Sequence, residues 1–299
     1  MARLVFLGTP DAAVPPLRAL AAAGHDIALV VTRPDKKRGR GGALLPSPVK
    51  AAATELGLAV TDSLDEVAGA GAELGMVVAY GRIIPVAILD QLPMVNLHFS
   101  LLPRWRGAAP VERAILEGDA ETGVCLMAVE AGLDTGAVYA EASVVIGDEE
   151  TADELRTRLV DLGCALLDEH LRAGRAGLPL GRDQVGSPTY AEKIRPGELH
   201  LLWERPAIEL ARVIRLGRAW TTFRGRRLGV VRATGRVDGT GADETPGVVN
   251  PGTLDGTEVV AGDGHRIRLI TVQPEGKRPM DASDWRHGVR PQAGEVLGG

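Results

Sequence analysis

The chain of 299 residues has few aromatic residues and only two cysteines. Aromatic side chains make up 3% of the sequence, so the core must be built from Ala, Val, Leu and Ile. Cys125 and Cys164 both lie in apolar stretches, which predicts buried free thiols rather than a disulfide framework. No spacing of Cys and His residues indicates a metal site, and we predict none.

The sequence also lacks a hydrophobic run of the roughly 18 residues that a membrane-spanning helix requires. The apolar run at residues 4–7 ends at once in Gly and Pro, so it predicts a first strand rather than a signal peptide. We therefore expect a cytoplasmic protein with no membrane partner. The net charge of −5 gives no overall attraction to nucleic acid, so any RNA contact must come from local basic patches.

The first half of the chain alternates short apolar runs with helical segments. Residues 4–7 and 27–32 predict strands, and residues 14–23 between them predict a helix. The alternation continues with strands predicted at 76–79, 94–97, 123–129 and 138–146 and an amphipathic helix at 151–173. This order predicts an α/β domain with a Rossmann-like, doubly wound parallel sheet. The first turn lacks G-x-G-x-x-G, so we infer no dinucleotide site.

The final third of the chain changes character. Short β-type runs at 228–232, 247–254, 258–261 and 267–272 are separated by Gly, Asp and Pro, which is typical of a small β-barrel. The Gly- and Pro-rich stretch 174–188 predicts the exit from the first domain. We therefore predict a first domain over 1–185, a linker over 186–204 and a second domain over 205–299.

An amide, an imidazole and a carboxylate lie where predicted strands end. Asn96 and His98 close one strand, and Asp134 lies in the turn GLDTG. An amide N–H stabilises an oxyanion, an imidazole moves a proton near neutral pH, and a carboxylate orients that imidazole. The trio suits acyl transfer to an amine, and we expect it to converge within hydrogen-bonding reach. The alternative is an ordinary strand-end histidine and an ordinary turn aspartate.

Two regions concentrate basic residues. Residues 33–42 hold five basic residues and three glycines, which predicts an exposed loop. Such a loop is either a solvated surface segment or an arm that contacts phosphates. The arginine-rich final third is either a solvated barrel surface or one face of an RNA groove. Trp105, between Arg104 and Arg106, either stacks on a base or packs against a neighbouring helix.

The string NLHFSLLPRWRGAAP, with GLDTG after it, resembles the signature of the formyltetrahydrofolate-dependent formyltransferases. The likeness extends in the expected order to FLGTPD, TRPDKKRGRG, LLPSPVK, VVAYGRIIP, YAEKI and QPEGKRPM. It spans nearly the whole chain and is greatest to the branch of the family that formylates methionyl-tRNA. Residues 214–223 depart from that branch, because the segment lacks its prolines and is shorter.

The resemblance implies formyl transfer from 10-formyltetrahydrofolate, a co-substrate, to the α-amino group of initiator methionyl-tRNA. Asn96 would donate to the oxyanion, and Asp134 would hold His98 and take up the proton. His98 would either donate to the same oxyanion or remove a proton from the attacking nitrogen. The resemblance also implies an OB-like barrel for the second domain. A sugar-nucleotide N-formyltransferase, a formyl hydrolase and a non-enzymatic RNA-binding protein are the alternatives.

The resemblance also assigns contact residues. The predicted folate contacts are Arg82, Ile83, Ile84, Ser100, Leu101, Leu102, Pro103, Leu133, Thr135 and Gly136. The predicted tRNA contacts are Lys36, Lys37, Arg38, Arg40, Arg224, Arg226 and Arg227. Arg40 stands where an important loop arginine of the family would lie. We expect a monomer whose partners are the folate and the tRNA.

Overall fold

A computed structural model describes residues 1–38, 42–237 and 250–299. The chain divides into two compact units. Unit 1 comprises Met1–Val111, Glu121–Val145 and Arg156–Glu192, and unit 2 comprises Glu112–Ala120, Ile146–Leu155 and Lys193–Gly299. No helix in the described ranges combines the length and the apolar character that crossing a bilayer requires.

The strands of unit 1 form one large sheet and two short pairs. In chain order they are β1 (Arg3–Gly8), β2 (Asp26–Val31), β3 (Lys36–Arg38), β4 (Ala43–Leu45), β5 (Val60–Thr61), β6 (Leu74–Val78), β7 (Met94–His98), β8 (Arg106–Gly107), β9 (Glu121–Ala128), β10 (Val138–Val145) and β11 (Tyr190–Ala191). The large sheet has the order β10-β9-β7-β6-β1-β2-β5, and the short pairs are β3 with β4 and β8 with β11.

The predicted parallel sheet is confirmed over five strands. The pairs from β5 to β7 are parallel, whereas β9 runs antiparallel to β7 and β10 antiparallel to β9. Only residues 129–137 join β9 to β10, and a parallel pair needs a crossover of about a dozen residues or more. The large sheet is therefore mixed rather than wholly parallel.

Helices alternate with the strands through the first 171 residues. They are α1 (Val14–Ala22), α2 (Pro48–Glu55), α3 (Val86–Leu89), α4 (Pro110–Glu117) and α5 (Ala152–Leu171). Ser47 followed by Pro48 is a sequence signal for a capped helix start, and the Ser47 hydroxyl accepts a hydrogen bond from the Lys50 N–H at 3.0 Å and caps α2. On α5, a Cβ at Gly163 would lie 2.5 Å from Leu97 Cδ2, so glycine lets this helix pack closely on β7.

The strand order identifies one edge of the sheet as the place for a ligand. β2 lies on one side of β1 and β6 on the other, so the winding direction changes between β1 and β6. In open α/β sheets, ligands bind outside the carboxyl ends of the strands at this point. The loops that follow β6 and β7 both leave from this edge.

Unit 2 contains an antiparallel sheet and its own core. Its elements are α6 (Ala207–Arg215), β12 (Ala219–Phe223), β13 (Arg226–Val237), β14 (Leu254–Asp255), β15 (Glu258–Val260), β16 (Arg266–Pro274), β17 (Met280–Asp281) and α7 (Ala282–Val289). The described strands pair in the order β12-β13-β16-β15-β14, with β17 on β16. The core includes Trp203, whose Nε1 donates to the Thr221 hydroxyl at 3.0 Å.

Two segments differ from the prediction. The loop expected over 33–42 contains β3, which pairs with β4 through Lys36 and Leu45. Backbone pairing needs no apolar side chains, so the composition of this segment gave no sign of it. The stretch 174–188, predicted as a domain exit, instead returns to the sheet of unit 1, where Arg182 pairs with Val138. Of the strand predicted at 247–254, residues 247–249 lie outside the described residues, and among 250–254 only Leu254 belongs to a strand, β14.

Candidate active site

Two candidate catalytic residues share one face at the end of β7. Asn96 and His98 are two residues apart on a strand, so their side chains project to the same side of the sheet. Leu97 projects to the other side, onto α5. The Asn96 amide is half-buried and makes no hydrogen bond with any residue that the structure describes. It is therefore free to donate to a bound molecule.

His98 is buried, and both of its ring nitrogens face protein groups. Nε2 lies 2.9 Å from the carbonyl oxygen of Trp105. Because a carbonyl oxygen only accepts, Nε2 is the donor in this bond. Nδ1 lies 3.7 Å from Asp134 Oδ2, which is longer than a hydrogen bond but within the range of an ion pair. The imidazole and the carboxylate therefore meet, slightly outside the hydrogen-bonding reach expected for the trio.

Asp134 is held in the turn between β9 and β10. Its Oδ2 accepts a hydrogen bond from the Gly107 N–H at 2.8 Å. Its φ of +49° lies in the left-handed region, which costs a residue other than glycine about 1–2 kcal/mol. At Gly136 a Cβ would lie 2.1 Å from the Ala128 carbonyl oxygen, so this turn requires glycine. Such strain persists at functional sites when surrounding contacts hold it in place.

Trp105 acts through its backbone rather than through its indole. Its side chain is buried, with the Arg104 guanidinium 4.5 Å above the ring. Its N–H donates to the Thr189 hydroxyl at 2.9 Å, and its carbonyl accepts from His98. A buried indole cannot stack on a base, so of the two alternatives for Trp105 the structure supports packing.

Cys125 is the neighbour of His98 on β9, but the two do not form a nucleophilic pair. Burial raises the pKa of the Cys125 thiol to about 12. The Leu102 N–H donates to its sulfur at 3.5 Å. A thiol with this pKa stays protonated near neutral pH, and only the thiolate is a nucleophile. The site therefore offers acid–base and hydrogen-bonding groups.

Comparison with known proteins assigns the chain to a family. Residues 2–171 match the model of the formyl transferases, and residues 193–290 match the model of the formyl transferase C-terminal domain. The chain belongs to the formyltransferase family. The resemblance drawn from its motifs is therefore confirmed, and so is its assignment as a formyltransferase enzyme.

Individual relatives of this formyltransferase support the assignment over its full length. It is 43% identical to the methionyl-tRNA formyltransferase of Roseobacter denitrificans, with 99% of each chain covered. It is 44% identical to the methionyl-tRNA formyltransferase of Methylobacterium nodulans, again with 99% of each chain covered. Among solved structures, the N-formyltransferase of Helicobacter canadensis has a TM-score of 0.67 at 18% identity, covering 92% of this chain and 100% of that one. The last likeness shows a shared fold.

The ten predicted folate contacts of this formyltransferase lie on three segments. They follow β6 (82–84), follow β7 (100–103) and form the turn around Asp134 (133–136). Ile83 and Leu133 are 91% and 59% exposed, so both offer apolar surface to a ligand ring. Arg82 and Thr135 are also exposed, Leu101 and Pro103 are half-buried, and Gly136 is buried.

Three of these predicted folate contacts have internal partners instead. Ile84 is buried in the cluster that contains Leu7 and Tyr80, so its side chain faces the core rather than a ring. Leu102 is buried in a cluster with Cys125 and other strand residues. The buried Ser100 hydroxyl donates to the Arg104 carbonyl oxygen at 2.6 Å. Apolar pattern alone could not separate these core positions from exposed Ile83.

The predicted tRNA contacts in unit 1 are partly described. Lys36 is exposed on β3, and the backbone of Lys37 and Arg38 continues that strand. The side chains of Lys37 and Arg38, and the whole of Arg40, lie outside the described residues. The phosphate contacts assigned to them stay predictions.

The predicted tRNA contacts in unit 2 already interact with other side chains. Arg224 makes hydrogen bonds to both oxygens of Glu295 at 2.5 and 2.9 Å, and Glu295 raises the pKa of this guanidinium. Arg226 Nε lies 3.8 Å from Glu275 Oε2. The Arg227 guanidinium lies 4.5 Å above the ring of Trp220. These arginines are exposed, but their charge is shared with nearby groups.

An open groove of about 370 Å³ between α1 and α2 contains none of the candidate residues. Its charged lining includes Arg18 and Glu55, which pair with each other at 2.6 Å. Two of the three charged side chains in its lining therefore neutralise each other, which leaves Asp11 as the third.

The segment 182–191 contacts residues on two sides of the candidate site. This role of the segment was not predicted from the sequence. Its β11 pairs with β8, and Gln184 contacts both Arg106 and the turn that carries Asp134. The one sequence signal was the shared string YAEKI, which begins at Tyr190. That string indicated family membership, but it gave no role to the residues before it.

Proposed function

We propose that this chain transfers the formyl group of 10-formyltetrahydrofolate to the α-amino group of initiator methionyl-tRNA. The product is N-formylmethionyl-tRNA, which is used in translation initiation. The 43–44% identity to methionyl-tRNA formyltransferases over 99% of each chain supports this acceptor. The observation that carries the chemistry is the separation of 3.7 Å between His98 Nδ1 and Asp134 Oδ2, on the sheet face that also presents Asn96.

In the proposed mechanism, Asn96 donates its amide N–H to the oxygen that gains charge as the amine attacks the formyl carbon. A donor of this kind is typically worth about 3 kcal/mol in the transition state. His98 acts through Nδ1, because Nε2 is bound to the Trp105 carbonyl. Nδ1 and the Asp134 carboxylate share the proton that leaves the attacking nitrogen, so the imidazolium forms beside a negative charge. Collapse of the tetrahedral intermediate then breaks the bond between the formyl carbon and N10 of the folate, and N10 takes up this proton as tetrahydrofolate leaves.

The folate would lie along the carboxyl edge of the sheet, beside residues 82–84, 100–103 and 133–136. Exposed Ile83 and Leu133 fit the faces of a pterin ring, and backbone groups of the Asp134 turn fit its polar edge. The Helicobacter canadensis relative was solved with folinic acid, which supports a folate co-substrate in this family. The mechanism uses side chains and the folate, and assigns no role to a metal.

The tRNA would be held by Lys36, Lys37, Arg38 and Arg40 in unit 1 and by Arg224, Arg226 and Arg227 in unit 2. Clustered Lys and Arg suit the phosphates of an RNA backbone. The proposal includes an OB-like barrel for the second domain and the division 1–185, 186–204 and 205–299. We also propose that the protein is a monomer and that it is located in the cytoplasm.

A sugar-nucleotide N-formyltransferase is the second candidate. The Helicobacter canadensis N-formyltransferase was solved with dTDP-3-aminofucose, and its fold resembles this chain at a TM-score of 0.67. Its identity of 18% is far below the 43–44% of the methionyl-tRNA enzymes. The basic segment 33–42 also favours RNA, because a sugar nucleotide offers only two phosphates.

One experiment separates the candidates. The purified protein is given 10-formyltetrahydrofolate with charged initiator tRNA, with an amino-sugar nucleotide, or with neither, and each formylated product is measured. We expect formylmethionyl-tRNA alone. Formylation of the amino sugar would support the second candidate, and formate release without an acceptor would indicate a hydrolase. Binding of tRNA with no product in any arm would indicate an RNA-binding protein.

A further inference from the structure

Gln184 joins the two segments that hold the catalytic contact. It is half-buried within unit 1, and Arg182 two residues before it pairs with Val138. The segment therefore runs next to the turn that carries Asp134 before it pairs with β8. No motif in the sequence drew attention to Gln184.

The side chain of Gln184 makes four hydrogen bonds. Its Nε2 donates to the carbonyl oxygens of Asp134 and Gly136 at 2.8 and 2.9 Å. Its Oε1 accepts from Arg106 Nε at 3.0 Å and Nη2 at 2.6 Å. Two carbonyls need a donor and a guanidinium needs an acceptor, so these partners require one orientation of the amide.

Arg106 lies between the two residues whose backbone groups position His98 and Asp134. The Trp105 carbonyl accepts from His98 Nε2, and the Gly107 N–H donates to Asp134 Oδ2. The other half of the Gln184 amide binds the backbone of Asp134 itself. A single amide thus connects the segment that holds His98 to the turn that presents the carboxylate.

We propose that Gln184 is a positioning residue for formyl transfer, which sets the separation between His98 Nδ1 and Asp134 Oδ2. The inference rests on the proposed function for its kinetic readout. Asp134 stands at a φ of +49°, a conformation that its own backbone disfavours, and the Gln184 amide binds the carbonyl of that residue. Loss of this bond lets the turn relax and moves the carboxylate away from the imidazole.

Gln184→Glu is a sharp test because it keeps the shape of the side chain and replaces the donor NH2 group with a second acceptor oxygen. A carboxylate still accepts from Arg106, but it places negative oxygens against the carbonyls of Asp134 and Gly136. Gln184→Met is the second variant, since it has similar length, no charge and none of the four bonds. The matched control is Gln91→Glu, because Gln91 Nε2 donates to the Ala87 carbonyl oxygen at 2.7 Å on an exposed part of unit 1.

We expect Gln184→Glu and Gln184→Met to lower kcat by about 10- to 100-fold, as small displacements of reacting groups do. The KM values for folate and tRNA stay within about threefold, and Gln91→Glu keeps the parent kcat. In an Asp134→Asn background, Gln184→Met has little further effect on kcat, because residues that act through one contact are not additive. Unchanged kcat in both Gln184 variants, or full additivity with Asp134→Asn, overturns the inference.

A spectroscopic readout keeps this test separate from the test of function. The ring signals of His98, assigned by their loss in His98→Gln, are followed by NMR in each variant. We expect them to shift in both Gln184 variants and to stay in place in Gln91→Glu. If the parent protein transfers no formyl group to methionyl-tRNA but the signals shift, the proposed function fails and the positioning role stands. Signals that stay in place in the folded Gln184 variants overturn the positioning role.

Discussion

Around Asp134 in unit 1, backbone groups hold a few polar side chains in place, whereas in unit 2 two of the predicted tRNA-binding arginines pair with carboxylates. In unit 1, His98 and Asp134 are each held by a backbone group, from Trp105 and Gly107 respectively. In unit 2, Arg268 Nη2 lies 2.8 Å from Glu258 Oε1, and Arg266 Nη1 lies 2.7 Å from Asp255 Oδ2. The comparison teaches that residue spacing predicts which side chains share a face better than a count of charges predicts which charges have partners.

The physical reason lies in how each set of partners is determined. On a strand, side chains two positions apart project to the same face. The spacing of Asn96 and His98 alone therefore places both side chains on one side of the sheet. The partners of exposed arginines come from distant parts of the chain, as Glu295 does for Arg224. Exposed pairs of this kind contribute little to stability, typically about 0–1 kcal/mol. They nevertheless reduce the positive field that an RNA would meet.

The largest expected effect tests the unit 1 side of the comparison. His98→Ala lowers kcat about 100-fold or more, because a positioned acid or base contributes at least that factor. Asn96→Ala lowers kcat by a similar factor through loss of the oxyanion donor. Steady-state kinetics with 10-formyltetrahydrofolate and charged tRNA measure both, and the KM for the folate changes far less. Near-normal turnover in His98→Ala would remove the trio from the mechanism.

Much of unit 1 could be predicted from the sequence, including β7, the Ser47 cap of α2 and the meeting of His98 with Asp134. Local patterns carry the first two, since alternation and capping involve neighbouring residues, whereas the approach of His98 to Asp134 was expected from the motifs shared with the family. The Gln184 contacts could not be predicted, because Arg106 and Asp134 lie far from it in the chain. The core position of Ile84 beside exposed Ile83 was missed for the same reason.

A smaller effect tests the charge side of the comparison. The double variant Arg38→Ala/Arg40→Ala should bind tRNA more weakly. A plot of log affinity against log salt concentration should also become less steep, by about one unit for each phosphate that is no longer neutralised. The control removes two exposed arginines elsewhere in unit 1, Arg18 and Arg172, which pair with Glu55 and Asp168. Binding of charged tRNA across a salt series checks this, with folate KM unchanged. Equal slopes in both double variants would place the RNA elsewhere.

The smallest effect concerns a buried titratable group away from the site. Burial and the nearby N-terminal charge lower the pKa of His25, with Glu73 opposing, and its Nδ1 accepts from the Ala2 N–H at 3.2 Å. The unfolded chain then binds the proton more tightly, so the free energy of unfolding falls as pH drops through 6.5. Denaturant titrations from pH 8 to 5 should show a shallower fall in His25→Gln. An identical pH dependence in both proteins would contradict this.

The anchor of the Asp134 carboxylate has a consequence for how this enzyme can change. Gly107 provides that anchor from its main chain, so the donor of this bond does not depend on any side chain at position 107. Its φ of +122° suits glycine, and a Cβ there would lie 2.9 Å from the Ala191 carbonyl oxygen. Directed evolution of new formyl acceptors therefore has no gradual route through position 107. Libraries that leave this codon untouched should retain far more working clones.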